Sequence, residues 1–210
     1  MTDKVVTVAV TGASGSPYFI QLLHSLLGAK VKVNLLLSTA AKEVIKTELN
    51  LKLPDNENEL KTFFLDYFSG SFSPEQCQDN SQLRVYGKEE WTSPVASGSN
   101  PANAMIVCPC SMGTLSAIAQ GASNNLIERA ADVMLKERRQ LILLTREMPF
   151  SSIHLENMLK LSRMGVTIMP ASPGFYRQPK SVADLVNFVV ARILDHLDIK
   201  QTLFPRWGTN

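Results

Sequence analysis

The sequence predicts a doubly wound α/β domain, a parallel sheet covered on both faces by helices. Three observations carry that reading. Short β-rich apolar runs alternate with helix-length amphipathic segments, the pattern of repeated βαβ units. The run QLILLT at 140–145 is nearly continuous in apolar residues, as expected of a strand buried on both faces. A tight turn, Thr11-Gly12-Ala13-Ser14-Gly15-Ser16, follows the first strand-like run and opens the first helix-like one.

In chain order, the β-branched run KVVTVAV sets a strand at 4–10, and the amphipathic segment after the glycine turn sets a helix near 16–27. KVKVNLLL gives a strand at 30–37, followed by helices near 39–48 and 57–68. Residues 69–81 are polar and turn-rich and read as a surface excursion before a short strand at 82–86. A small-residue loop at 92–102 leads into a central strand at 103–108. Helices near 111–120 and 124–138, the strand at 140–145, a helix near 152–164, a strand at 166–169 and a helix near 181–197 complete one domain over 1–210. A tail from about 198 carries Phe204, Pro205, Arg206 and Trp207, apolar aromatics that need a surface to cover, their own or a neighbour's.

With 45% hydrophobic and 19% charged residues, the 210-residue chain has the composition of a globular protein with a well-buried core. Lys plus Arg (21) barely exceed Asp plus Glu (19), and no basic run suggests a nucleic-acid or membrane surface. MTDKVVTVAV lacks the features of a secretory leader, and no apolar stretch approaches the roughly 18 residues that span a bilayer, so a cytoplasmic location is expected. Cys77, Cys108 and Cys110 form neither a disulfide framework nor a metal-ligand pattern, and Cys108 reads as a small hydrophobe ending a buried strand. No metal is expected.

The first βα turn favours an anion, because its amides and the helix dipole point at one place; an unliganded structural turn is the alternative. The second strand ends Leu35-Leu36-Leu37-Ser38 without the acid that holds a dinucleotide ribose, so NAD is disfavoured and a mononucleotide such as FMN fits better. Ser111-Met112-Gly113-Thr114-Leu115-Ser116 crowds hydroxyls and amides into a second helix start, which reads as a ligand cradle or as ordinary N-capping. Glu48 continues the apolar stripe Ala41, Val44, Ile45, where an acid is costly unless paired or functional, though a helix-end glutamate in water is the plain alternative. Arg146-Glu147 follows the strand at 140–145, where doubly wound proteins bind ligands, or else forms an exposed ion pair. Arg129 and Lys136 share a helix face about 10.5 Å apart, which is either a site or a solvated surface. His24, His154 and His196 read as surface or capping residues, and no nucleophilic triad is visible.

Together, TGASG at 11–15, Ser38 with Ala40-Ala41, ASGS at 96–99, CPCSMGTLS at 108–116, NNLIERAADVMLKERR at 124–139, REMPFSSIHLENM at 146–158, PGFYRQP at 173–179 and RW at 206–207 resemble the UbiX family of flavin prenyltransferases. The resemblance runs from the first strand to Trp207. It departs only at ordinary positions, such as Gln140, where a proline is common, and Ser93-Pro94-Val95.

The resemblance implies a flavodoxin-like or Rossmann-like three-layer fold and reduced FMN as acceptor. Gly12, Ala13, Ser14, Ser38, Ser111, Met112, Gly113, Thr114 and Arg146 are then expected to contact FMN. Tyr176 and Arg192 are expected to hold the phosphate of dimethylallyl phosphate, with Lys136, Arg129 and Glu147 alongside and Ser97 by the prenyl pocket. The implied reaction joins the dimethylallyl C1 to flavin N5 and its C3 to flavin C6. Cationic and phenolic donors suit the departing phosphate, and aromatic faces, that of Trp207 included, suit the allylic cation. Glu48 is expected as base, Ser14 as relay and Glu147 as proton donor to phosphate. The leaving monophosphate and the lack of an Asp-rich motif imply no Mg²⁺. The resemblance further implies a homo-oligomer, a dodecamer with sites at subunit interfaces, and a UbiD-type decarboxylase of ubiquinone biosynthesis as recipient of the product. A cysteine-type flavin decarboxylase fits less well, because the helix at 39–48 has no His and the chain has no PxMN segment. A non-catalytic FMN carrier would not need Tyr176, Arg192 and Glu147 together.

Overall fold

The computed structural model describes residues 4–72, 80–176 and 178–204. Six parallel strands form one sheet: β1 (Val5–Val10), β2 (Lys32–Leu37), β3 (Leu83–Tyr86), β4 (Ala104–Cys110), β5 (Gln140–Thr145) and β6 (Thr167–Pro170). Their order is β3-β2-β1-β4-β5-β6, the Rossmann variant of the doubly wound class. Among the described residues, seven α-helices cover it: α1 (Ser16–Gly28), α2 (Thr39–Leu49), α3 (Glu57–Phe68), α4 (Met112–Ala119), α5 (Leu126–Lys136), α6 (Ser152–Arg163) and α7 (Val182–His196).

Alternation along the strands sends successive side chains to opposite faces. Val6, Val8, Leu35, Ile106 and Ile142 face a core built with α1, α2, α3 and α7. Ala9, Leu36, Met105, Val107 and Leu143 face a second core built with α4, α5 and α6. The sheet is thus dry on both sides, as its continuous apolar runs require.

Helix starts follow the capping residues. The side chains of Ser38, Asn56, Ser111, Asn125, Ser151 and Ser181 accept backbone N–H bonds at six of them. Asn125 is the cap of α5, so the expected helix at 124–138 shortens to Leu126–Lys136. The expected strand at 30–37 begins two residues later, because Lys30 turns with φ 58° after α1. His154 completes a capping box, as a capping histidine should. His24 differs from its surface reading: its ring stacks on Phe72 at 4.8 Å and bonds the Ser71 hydroxyl at 3.1 Å, and burial lowers its pKa.

Cys108 and Cys110 are buried, and burial pushes both thiols far above their ordinary value, so they are protonated hydrophobes. Cys77 lies outside the described residues. Among the described residues, no helix is long and apolar enough to cross a membrane, and no cluster of His, Cys, Asp or Glu could hold a metal.

The strand order reverses between β1, which continues to β2, and β4, which continues to β5 on the other side. This switch point opens a crevice at the carboxyl ends of the strands. Both the turn into α1 and the turn into α4 lie there.

Candidate functional site at the switch point

Thr11 ties the two turns together. It is only 3% exposed. Its hydroxyl donates to the Pro109 carbonyl at 2.8 Å and accepts from the Ser111 N–H at 2.8 Å, while its own N–H also donates to Pro109 O at 3.2 Å. Ser111 in turn caps α4, accepting from the Thr114 N–H at 3.3 Å and meeting the Thr114 hydroxyl at 3.0 Å. The N–H groups of Met112 and Gly113 open the helix, where no intrahelical acceptor exists, and the space over Gly113 is empty to 4 Å.

The N-terminus of α1 is different, because it already holds an anion. The Glu48 carboxylate accepts from the Gly15 N–H at 3.1 and 3.2 Å and from the Ser16 N–H at 2.8 Å. Pro17 has no N–H, and the Tyr18 N–H donates to the Gly15 carbonyl. No donor in that first turn is left over for a second anion. The turn does attract an anion, and the anion is the chain's own glutamate.

Glu48 does not sit in the core, as its stripe position suggested. Ala41 and Ile45 are buried, but one turn later Glu48 has passed the edge of α1 and is exposed. Burial of its carboxyl opposes ionisation, yet hydrogen bonds from the Ser14 and Ser16 side chains and the Ser16 and Gly15 backbone outweigh it and hold the pKa below 4.5. A lowered native pKa means stability that is present above the unfolded value and lost as pH falls through the native one. Glu48→Gln is therefore expected to lower the urea midpoint at neutral pH, and the gap from wild type should close as pH drops below 4.5. A gap that stays constant with pH would remove the carboxylate's charge from the stability of this turn.

Gly12 packs against the start of α2, where a Cβ would come within 2.6 Å of Ala40 Cβ. Ser38 caps α2 through the Ala41 N–H at 3.0 Å, and its own N–H donates to Val10 O at 3.0 Å. From the end of β5, Arg146 reaches across the crevice and donates from Nε to the Ser14 carbonyl at 3.2 Å. The structure thus gathers Gly12, Ala13, Ser14, Ser38, Glu48, Ser111 to Thr114 and Arg146 around one crevice. Thr11 and the Gly15 and Ser16 amides belong to it too. In the sequence they stand out only as parts of a turn, although a hydroxyl ending a central strand is a readable signal.

The remaining expected residues are not gathered there. Arg129 donates from Nε to Ala96 O at 3.0 Å and pairs with Asp132 at 2.8 Å. Lys136 pairs with Glu137, and a Cβ on Gly98 would lie 2.5 Å from Lys136 Nζ. Both cations thus border the 96–99 loop, where the Ser97 hydroxyl bonds that of Ser99 at 2.9 Å. Tyr176 packs on Phe188 of α7 at 5.8 Å, and Arg192 of α7 pairs with Asp195 at 3.2 Å. The Glu147 carboxylate accepts from the Met148 N–H at 3.2 Å. Each of Arg129, Lys136 and Arg192 has an acid within one helical turn. Moreover, α5 and α7 cover opposite faces of the sheet. Of the tail, Ile199 is buried and Phe204 packs on Phe188 at 5.0 Å, while Trp207 lies outside the described residues.

A family model described as Flavoprotein matches residues 1–194. The flavin prenyltransferase UbiX of Pseudomonas aeruginosa is 54% identical over 203 residues, which cover 97% of this chain and 93% of that protein. AnUbiX (PadA1), solved in complex with FMN and dimethylallyl pyrophosphate, is 38% identical with a TM-score of 0.81, over 98% of each chain. A dodecameric FMN-dependent UbiX-like decarboxylase from Escherichia coli O157:H7 is 37% identical with a TM-score of 0.80, over 98% of this chain and 100% of that one. The chain belongs to the Flavoprotein family and, within it, to the UbiX flavin prenyltransferases.

Proposed function

We propose that this chain transfers a dimethylallyl group from dimethylallyl phosphate to reduced FMN, bound in the crevice between the β1–α1 and β4–α4 turns. The observation that carries the placement is the asymmetry of the two helix starts. Glu48 fills the amides of α1, whereas the first turn of α4 holds no side-chain carboxylate and has open space over Gly113. The FMN phosphate therefore belongs at α4, with Ser111 and Thr114 hydroxyls beside it and Arg146 near by. The flavin ring then lies toward Gly12, Ala13, Ser14 and Ser38, close to Glu48. The open space over Gly113 fits a ligand approaching backbone.

In the net reaction the C1–O bond of the donor breaks with its electron pair leaving on phosphate, N5 takes C1, and C6 takes C3, with protons leaving N5 and C6 and one entering at C2. Glu48, held as a carboxylate, accepts a proton through the Ser14 hydroxyl that bonds it. Arg146 holds the turn and places positive charge beside the flavin.

The donor phosphate is assigned to Tyr176, Arg192, Arg129, Lys136 and Glu147, with Ser97 by the prenyl group and Trp207 closing the site. Because α5 and α7 lie on opposite faces, these groups meet when more than one copy contributes. Contact with the phosphate then replaces the local ion pairs of the three cations. Next to Glu147, Met148 (88% exposed), Ile153 (65%) and Leu155 (53%) offer the apolar surface such packing needs. The dodecamer of the Escherichia coli relative supports the same assembly here. The product is passed to a UbiD-type decarboxylase, in ubiquinone biosynthesis, inside the cytoplasm.

The test is anaerobic incubation with reduced FMN and dimethylallyl phosphate, then mass analysis of the extracted flavin. The expected result is FMN heavier by one prenyl unit, active when supplied to an apo UbiD-type decarboxylase. Unchanged FMN, with folded protein and verified donor, defeats the reading.

A further inference from the structure

We propose that Thr11 is a positioning residue for the flavin, and that its hydroxyl sets the α4 cradle relative to the β1–α1 turn. The inference rests on the FMN reading above. The regular pairing of β1 with β4 runs only from Val6 to Ala9, opposite Ala104 to Val107. Beyond it β4 changes register between Val107 and Cys110, measured against β5. At this point the backbone contact between the two central strands is reduced to the long bond from Thr11 N–H to Pro109 O at 3.2 Å.

The Thr11 hydroxyl takes over where the ladder stops. It donates to Pro109 O and accepts from Ser111 N, each at 2.8 Å, so a single oxygen bridges the residues on both sides of Cys110. Ser111 is the N-cap of α4, and fixing its N–H fixes the direction in which the α4 amides point. Thr11 is itself continuous with Gly12, Ala13 and Ser14. One buried side chain thereby sets the spacing between the groups assigned to the phosphate and those assigned to the ring. FMN realises the affinity of both ends only when one conformation of its ribityl chain meets ring site and phosphate site together, and a changed spacing forfeits part of that affinity. Removing the hydroxyl also leaves the half-buried Ser111 N–H without its acceptor, and the cap is free to turn toward water.

The experiment titrates FMN into apoprotein of wild type, Thr11→Val and Thr11→Ser, followed by flavin fluorescence and visible circular dichroism. Thr11→Val keeps the shape and loses both bonds; FMN affinity should fall about tenfold or more. Amide exchange at Ser111 should quicken in the free protein. Thr11→Ser keeps the hydroxyl and should bind within about threefold of wild type. In turnover, Thr11→Val should raise KM for reduced FMN by more than it lowers kcat, which a general loss of folded enzyme would not do. Should Thr11→Val fail to fold, Thr11→Ala, which adds no bulk, carries the same expectation. Wild-type affinity in the folded variant overturns the proposal, as does a Thr11→Ser variant as weak as Thr11→Val. Wild-type protein that binds no FMN overturns the FMN reading itself, and this inference falls with it.

Discussion

Glu48→Gln is expected to bind FMN within about threefold of wild type, yet to form prenylated flavin at least about a hundredfold more slowly, the usual scale for loss of a general base. The substitution is conservative in shape. One amide oxygen at the Oε2 position can keep the bonds to Gly15 N at 3.1 Å and Ser16 N at 2.8 Å, so the turn should hold its form. What disappears is the negative charge and the capacity to take a proton from the Ser14 hydroxyl. Stopped-flow formation of product from pre-reduced FMN, with FMN affinity measured separately, distinguishes the outcomes. Wild-type turnover removes Glu48 from the chemistry. Lost FMN binding assigns it to the architecture of the turn alone.

The electrostatics of Glu48 limit how it can act. A carboxylate stabilised by the Gly15 and Ser16 amides and two serine hydroxyls is ionised at neutral pH but is a weak base. It therefore works by offering an ionised acceptor already in place beside Ser14, and the strong driving force for proton loss comes from the substrate. The acid limb of kcat/KM should lie below pH 4.5 in wild type and be absent in Glu48→Gln.

The sheet was legible because its strands are short, apolar and separated by residues with strong local preferences. β1, β4 and β5 are each close to their expected span, and the Ser and Asn caps mark where helices begin. Ends set by unusual backbone geometry were not legible, as Lys30 with φ 58° shows at the start of β2. The two turns of the crevice were readable for the same local reason. Partners far apart in sequence were not: Glu48 meets amides 32 and 33 residues away, and Thr11 bonds Ser111 across 100 positions. Helical periodicity placed Glu48 on the stripe of Ala41 and Ile45 but could not tell that the amides opening α1 stand beside it. The ion pairs of Arg129 with Asp132 and of Arg192 with Asp195 are i,i+3 contacts, legible from helical spacing alone.

Gly12→Val should weaken FMN binding by about a hundredfold or more, because two adjoining elements compete for one methyl-sized space. A Cβ at Gly12 would stand 2.6 Å from Ala40 Cβ, far inside contact distance. Neither atom can rotate away, since each is fixed directly to backbone, so the β1–α1 turn or the start of α2 must move, at a cost of about 1–3 kcal/mol. Either movement shifts backbone assigned to the flavin, and Ser38, the cap of α2, moves with it. The cause can be isolated by exchanging the two methyls. Gly12→Ala alone should lose FMN affinity, whereas Gly12→Ala with Ala40→Gly should regain most of it. The double variant should retain only about the 1 kcal/mol that a glycine costs within a helix. A double-mutant cycle on FMN affinity should therefore show strong coupling. Simple additivity would mean that Gly12 matters through its own backbone freedom or its direct approach to the ligand. Strong coupling would mean that the width of the crevice is set by how closely α2 can approach the first turn.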